Sequence, residues 1–554
     1  MATTIYRSDV SPLTEFDSLS IPQWITQYNP DLVLADKVVH SDDFSNDVIT
    51  YGSLRHDASR LAWGLRNKLG VKEGDIVLAL VPNSNDFVLL AHVIWWAGAV
   101  FAPLNTAATQ SDIEHVLGLV KPTHVAVSTA VSRLNLVHAA VRSVNITRPK
   151  VFTLHGKVDS LPRFPVDVMG GSDSESLPPY DLGGKAGKDV LSTICFSSGT
   201  TGKMKGVKLS HFNLIANVLQ IRVALPTRLT SKVREVWFPP YCHIYGLFAV
   251  VLTGMWLGGH YHGLREFNLE RYCEKSSELR ATDMHIVPPV ALLLAASPVT
   301  QKFDLSSVKR IVVAAAPLKP ELQRKLKQRF PDANVCQGYG LSECSPSVSH
   351  QFEQDEDQIG TVGKILPGTE LRLVHPETLK DVPEGEEGEL WVRGPQVMMG
   401  YINDEAATKQ TFHGDWLRTG DIGKLQNGNL WITDRFKEMI KYKGLQVAPS
   451  ELEDLLLQHP AVADAAVCSV YDDAEVTEVP LAYVSLGPKH VDLPSKEKEA
   501  LLGEIRNWAD ARVAGYKKLR GGVFHLQVLP KNPTGKILRR LLPVKLKETR
   551  SQKL

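Results

Sequence analysis

Five short stretches concentrate residue types that can hold a polyphosphate and activate an acid. In CFSSGTTGKMKGVKLSH (195–211), Ser197, Ser198, Thr200 and Thr201 are interleaved with Gly199 and Gly202, and Lys205 and Lys208 follow. Glycine lets backbone amides point at an anion and the hydroxyls add donors, so such a loop can wrap phosphates. It is not a Walker loop: Ser197 stands five positions before Gly202 where a glycine is required, and Met204 follows Lys203 in place of a magnesium-binding Ser or Thr. In QGYGLSE (337–343), Tyr339 lies between glycines and can stack on a base, while Glu343 can hold Mg²⁺ through oxygen. LRTGDIG (417–423) offers Asp421 after a glycine turn, suited to the two hydroxyls of a ribose, and DRFKEMIKYKG (434–444) offers Arg435 beside it. PKNPTGKILRR (530–540) presents Lys536 on a turn stiffened by proline and glycine. Each stretch by itself reads as a solvated turn; the five in this order do not.

The elements around them are those of an α/β protein. DIVLALVP (75–82), THVAVS (123–128), DVLSTICF (189–196), MHIVPP (284–289) and KRIVVAAA (309–316) read as buried strands alternating with helical patterns, which means parallel sheets with crossover helices. LRHDASRLAWGLRNKLG (54–70) predicts a helix with Leu54, Ala58, Leu61, Leu65 and Leu69 on one face and Gly70 as its stop. FVLLAHVIWWAGAVFAPLN (87–105) is apolar, but His92, two glycines and a proline make it a buried helix running into a strand rather than a membrane span. From about residue 360, short alternating segments such as ELRLV and GELWVRG predict a small antiparallel, barrel-like region, and a smaller α+β unit follows. The expected organisation is a large domain over 1–434, a hinge at 435–437 and a small, mobile α+β domain over 438–554.

The bulk properties narrow the function. A chain of 554 residues exceeds one compact core. With 43% hydrophobic and 22% charged residues and a net charge of +1, it carries no basic footprint for nucleic acid. Six cysteines without C-x-x-C spacing give no zinc site or disulfide framework and suggest a reducing compartment. MATTIYRSDV is no signal peptide, and the closing SQKL is a degenerate form of a peroxisomal address, which predicts a peroxisome or the cytoplasm and an import receptor as a partner.

The five stretches, with YCHIYGL (241–247), AAAPL (314–318) and VGKILPGTE (362–370), resemble the adenylate-forming superfamily of acyl-CoA synthetases, luciferases and peptide-synthetase adenylation domains. HIYGL and IKYKGLQVAPSELE are most similar to the 4-coumarate–CoA ligase-like branch. Two positions depart from the family pattern: Ala314 stands at a usual glycine and Ser342 at a usual threonine.

The resemblance implies an AMP-forming acid–thiol ligase using ATP, Mg²⁺ and coenzyme A. An aryl, arylpropenoic or medium-chain fatty acid would become an acyl-adenylate with release of pyrophosphate, and a thiolate would then displace AMP. It implies that Ser197–Gly202 and Lys205 hold phosphates, and that Ala315, Ala316, Gln337, Gly338, Tyr339, Gly340, Ser342, Asp421 and Arg435 bind the nucleotide. Glu343 and Ser342 would attend the metal, and Lys536, Glu343 and His243 the first step. Lys437 would be the pivot that brings Lys441, with Lys443, Gly444 and Gln446 on the coenzyme A side, into the second step. Tyr245, Ala249, Ala314, Gly338, Cys344, Pro346 and Ser347 would line the acyl pocket. For His243 an equal alternative is a core histidine satisfied by backbone. Three other activities share these motifs: an enzyme loading a separate carrier protein, a luciferase-like oxygenase, and a non-catalytic nucleotide sensor.

Overall fold

A computed structural model describes residues 4–11, 16–131, 133–197, 204–314, 318, 320–352, 358–435, 438–442, 445–472, 477–513, 515–531 and 535–544. Its architecture is mixed α/β, with a large sheet-rich N-terminal part and a small C-terminal domain.

The buried strands foreseen in the sequence form where they were expected. Ile76–Leu80, Val100–Pro103, His124–Ser128 and Leu191–Ser197 belong, with the unforeseen Lys150–Leu154, to a seven-stranded sheet that is parallel apart from Lys205–Ser210 at one edge. The apolar 87–105 stretch is helix Asn85–Trp96 followed by strand Val100–Pro103. Ser84 caps the helix, accepting the Phe87 N–H. Nearly the whole helix is buried, which is why it is apolar all round. No helix among the described residues is long and apolar enough to cross a membrane. The 54–70 pattern starts earlier than its first leucine: Thr50 makes a reciprocal capping box with Ser53, and the helix runs Tyr51–Gly64. It then widens into the π-helical turn Leu65–Leu69, and Gly70 ends it with φ +79°.

The expected barrel-like region takes another form. Glu370–Val374, Gly388–Arg393, Trp416–Gln426 and Asn429–Arg435 pair antiparallel in series, then join Lys364–Ile365, Ser347–His350, Asn334–Gly340, Arg310–Val313 and Asp283–Ile286 in one eleven-stranded sheet. No closed barrel occurs among the described residues. The pivot is Asn334–Gly340, which pairs parallel with Arg310–Val313 and antiparallel with Ser347–His350. Alternation in the sequence reports one solvated face but not whether the strands close on themselves. Asp283–Ile286 and Arg310–Val313 are shorter than their sequence patterns, the first because Pro288 opens helix Pro288–Ala296. Val523–His525 likewise covers only part of GVFHLQVL.

The C-terminal part has its own apolar cores. One gathers Ile440, Leu452, Leu456, Val467, Ala482 and Ile505, and the other gathers Ala466, Cys468, Leu481, Leu529 and Leu542. They are built on strands Val462–Asp472, Thr477–Leu486 and Val523–His525, with helices Pro449–Leu456 and Ser495–Asp510.

Candidate active site

The glycine-rich loop leaves one strand and enters its antiparallel neighbour. Ser197 pairs with Lys205 across the register, so the two ends of the glycine-rich stretch lie side by side. Ser198, Gly199, Thr200, Thr201 and Gly202 lie outside the described residues, as do Ala315, Ala316, Lys437, Lys443, Gly444 and the SQKL end. Lys205 stands over the ring of Tyr401, its Nζ 4.7 Å from the centroid. The Tyr401 hydroxyl donates to Glu343 Oε1 at 2.8 Å, and the Glu343 carbonyl accepts the Met398 N–H. A lysine and a carboxylate that the sequence separates by more than a hundred residues are thereby joined through one tyrosine. Burial and Glu343 both push the Tyr401 phenol far above its ordinary pKa, so it stays a donor.

On the pivot strand, the Tyr339 hydroxyl donates to Asp421 Oδ2 at 2.6 Å, and Asp421 is buried. Burial, then Asp421, raise the Tyr339 phenol in the same way. Asp421 also faces Arg435 across the strand register, so the backbone sets these two expected ribose contacts side by side. Gly340 is required where it stands, because a Cβ there would come within 2.3 Å of the Pro346 carbonyl oxygen. Gln337 turns out to be a support: its Oε1 accepts the Leu318 N–H at 3.0 Å and its own N–H donates to Gln351 Oε1, fixing the chain that follows residues 315–317.

Beside Tyr339 lies a cavity of about 120 Å³. Six of the seven expected acyl-pocket residues line it: Tyr245, Ala249, Ala314, Gly338, Pro346 and Ser347. Cys344 does not; it is fully buried in the apolar core. His243 sits at the rim, where its Nδ1 accepts the Tyr245 N–H at 3.4 Å and desolvation lowers its pKa, keeping the imidazole neutral. His243 is exposed, so it is not the core histidine that was the alternative.

A turn of the small domain packs against the large domain. Gly535, at φ +85°, lies so near Pro289 that a Cβ would come within 2.6 Å of the ring. Pro289 follows the strand Asp283–Ile286, whose His285 lines the cavity. Lys536, half-buried, is thus carried against the large domain. Arg539 anchors the turn from behind: it pairs with Glu453 at 2.7 Å, donates to the Val467 carbonyl and forms an ion pair with Glu438 just past the expected hinge.

Residues 32–402 match the AMP-binding enzyme family and residues 451–536 match the C-terminal domain of AMP-binding enzymes. The chain belongs to the AMP-binding enzyme family. Within that adenylate-forming superfamily it is 34% identical over 511 residues to 4-coumarate:CoA ligase 1 of Petunia hybrida, covering 91% of this chain and 90% of that protein. It is also 34% identical to a probable 4-coumarate–CoA ligase 1 of Dictyostelium discoideum, covering 94% of each. Among solved structures, ATP-bound MatB from Rhodopseudomonas palustris superposes with a TM-score of 0.82 at 26% identity, covering 96% of this chain and 100% of MatB. The apo form of MatB superposes with a TM-score of 0.72 at 26% identity. The enzyme is of the AMP-forming acyl-CoA synthetase class.

Among the residues of the site to which the family pattern did not lead are Tyr401, Thr253, His285 and Arg310. Arg310 left a signal in the sequence, a charged residue two and four positions from Val312 and Ala314 on the cavity face of an otherwise apolar strand. The others are brought in by packing alone. Lys441 and Gln446 pair across the hairpin of Ile440–Tyr442 with Leu445–Val447, and only their backbone positions are described.

No group of three or more acidic, histidine or cysteine side chains among the described residues could hold a metal. A lone Glu343 beside the Ser342 hydroxyl suits Mg²⁺, which keeps waters and phosphate oxygens as most of its ligands.

Proposed function

We propose that the enzyme is an ATP-dependent acid–CoA ligase acting on an aryl, arylpropenoic or medium-chain acid. The acid carboxylate attacks the α-phosphate of ATP to give an acyl-adenylate and pyrophosphate, and the coenzyme A thiolate then displaces AMP. The first step forces two anions together, so the site must supply positive charge where they meet. The packing of Gly535 on Pro289 supports this reading, because it sets the residue before Lys536 against the large domain, four positions along the chain from His285 of the cavity lining. Lys536 would hold the carboxylate and the α-phosphate at reacting distance. Asp421 would accept from the ribose, with Tyr339 fixing its orientation, and Lys205 would meet the outgoing phosphates. Mg²⁺, attended by Glu343 and Ser342, would neutralise phosphate charge when bound.

The neutral His243 would shape the entrance for the carboxylate. Residues 1–434 and 438–554 would then part about Lys437, withdrawing Lys536 and presenting Lys441 for thioester formation. Pyrophosphate release measured across cinnamic, benzoic and C6–C10 acids tests the reaction. Lys536→Ala should abolish adenylate formation while sparing thioester formation from preformed adenylate, and equal loss of both steps would refute its role. Lys437→Pro should stall the second step alone, seen as adenylate accumulating under single-turnover conditions.

A further inference from the structure

Residues 399–402 run alongside the strand Lys205–Ser210 that follows the glycine-rich stretch. The Lys208 N–H donates to the Gly400 carbonyl at 3.0 Å, the Met399 N–H to the Lys208 carbonyl at 2.9 Å and the Ile402 N–H to the Gly206 carbonyl at 2.8 Å. Gly206 permits this approach, since a Cβ there would come within 2.6 Å of the Ile402 side chain. From the other side, the Met398 N–H donates to the Glu343 carbonyl at 2.9 Å. Backbone bonds therefore fix Tyr401 between Lys205 and Glu343. Its own N–H is held by Thr408 Oγ1 at 2.9 Å, and its side chain is buried, so close packing leaves the ring one position. The two groups it touches are each left half-satisfied. Tyr401 is the only hydrogen-bond donor to the Glu343 carboxylate among the described residues, and Lys205 has no carboxylate partner among them. Both side chains are half-buried, where charge is screened less than at the surface.

We propose that Tyr401 is a positioning residue that couples metal binding to phosphate binding: its hydroxyl orients the Glu343 carboxylate for Mg²⁺, its ring holds Lys205, and each ligand is bound more tightly when the other is present. The inference rests on the ligase reading of Glu343 and Lys205 as metal and phosphate contacts, and adds the link between them. The link is electrostatic. A carboxylate accepting from a phenol draws the O–H toward itself and leaves the ring more electron-rich, which strengthens the ring's hold on an ammonium above its face. A cation at Glu343 takes up the carboxylate charge. The phenol then loses part of its acceptor, the ring loosens its hold on Lys205, and the ammonium turns to the phosphate. In reverse, a phosphate that draws Lys205 from the ring leaves the Glu343 charge less countered and favours the cation, as linkage requires. The phenol remains a donor throughout, because burial and Glu343 both oppose its ionisation.

Equilibrium dialysis of the full-length enzyme, without any acid, measures the affinity for ATP in EDTA and for Mg·ATP in excess Mg²⁺; the ratio of the two reads the coupling. In Tyr401→Phe, which keeps a ring under Lys205 but removes the hydroxyl, the ratio should fall about tenfold, the loss expected for one hydrogen bond to a charged acceptor. The affinity for metal-free ATP should stay within about threefold. Tyr339→Phe, which disturbs the ribose end, should weaken both forms alike and leave the ratio unchanged. Lys205→Met should lower the ratio in the wild-type background and leave it unmoved in the Tyr401→Phe background, because the lysine senses the metal only through the phenol. A ratio unmoved by Tyr401→Phe, an equal fall in Tyr339→Phe, or a Lys205→Met effect that is absent from the wild type or persists in both backgrounds would overturn the coupling. The Lys205→Met arm in the wild type decides the matter even if Tyr401→Phe folds poorly. Pyrophosphate release is measured in parallel on the acids named above. Release by the wild type with no coupling leaves the ligase reading standing alone. Coupling without release by any acid removes the ligase reading and leaves the Tyr401 link, and no ATP binding in either form overturns both.

Discussion

At the level of single residues, the site is organised by tyrosines that hold carboxylates. Tyr339 donates to Asp421 and Tyr401 donates to Glu343, each in a setting that keeps the phenol protonated. A carboxylate held by one good donor loses rotational freedom and meets its ligand ready oriented. Tyr339→Phe should therefore raise the KM for ATP about tenfold, the loss expected for one hydrogen bond to a charged acceptor. Asp421→Ala should raise it further, while leaving the affinity for the acid within about twofold; competition with AMP, followed by initial rates, measures both. Because Asp421 is buried beside Tyr339, the single Phe variant also leaves that carboxylate short of a donor. The double variant Tyr339→Phe with Asp421→Ala should be less than additive, which marks the two as one unit.

At the level of elements, the decisive contact is a turn against a proline. The Lys536 turn can seat on Pro288–Pro289 because residue 535 has no side chain. Its φ of +85° lies in the region that favours glycine, so any other residue is strained as well as obstructed. Gly535→Ala should slow pyrophosphate release by tenfold or more and leave thioester formation from supplied adenylate close to normal. Half-reaction assays separate the two, and equal slowing of both would show that the turn serves general stability instead. The Arg539 contacts to Glu453 and Glu438 tie the same turn to the rest of the small domain.

For the molecule as a whole, buried histidines set the response to acid. His40, His92, His211 and His350 are all buried, and desolvation lowers each pKa to about 3. The unfolded chain takes up protons at these sites near the ordinary value of about 6.5, and the folded chain does not. The unfolded state therefore binds more protons below that value, and stability is lost as pH falls from about 6.5 toward 3, at roughly 1.4 kcal/mol per histidine per pH unit. Asp86 works in the opposite direction. Burial and the carboxylates of Asp42 and Asp47 raise its pKa to about 7, so its protonation favours the folded state between about 7 and the ordinary carboxylate range. One acid does not offset four histidines. The melting temperature should fall by several degrees between pH 7 and 5, and the slope should be shallower in His92→Gln, whose amide can still donate to the Val251 carbonyl as Nε2 does.

The sequence by itself determined the chemistry of the loops and the succession of buried strands. Glycine, hydroxyl and carboxylate positions are local requirements, and a strand buried on both faces must be written as a continuous apolar run. It could not say that the antiparallel strands after residue 360 continue the same sheet as Arg310–Val313, because strand alternation carries no information about the neighbour. Nor could it pair Tyr401 with Glu343, seat Gly535 on Pro289, or turn Cys344 away from the cavity that Pro346 and Ser347 line. Those depend on which surfaces meet once the sheets pack. Arg310 lies between the two. Its charge within an apolar strand is visible in the sequence, but only the tertiary structure shows one nitrogen held by Asp283 and another without a partner among the described residues, because satisfying a buried donor is a property of its surroundings.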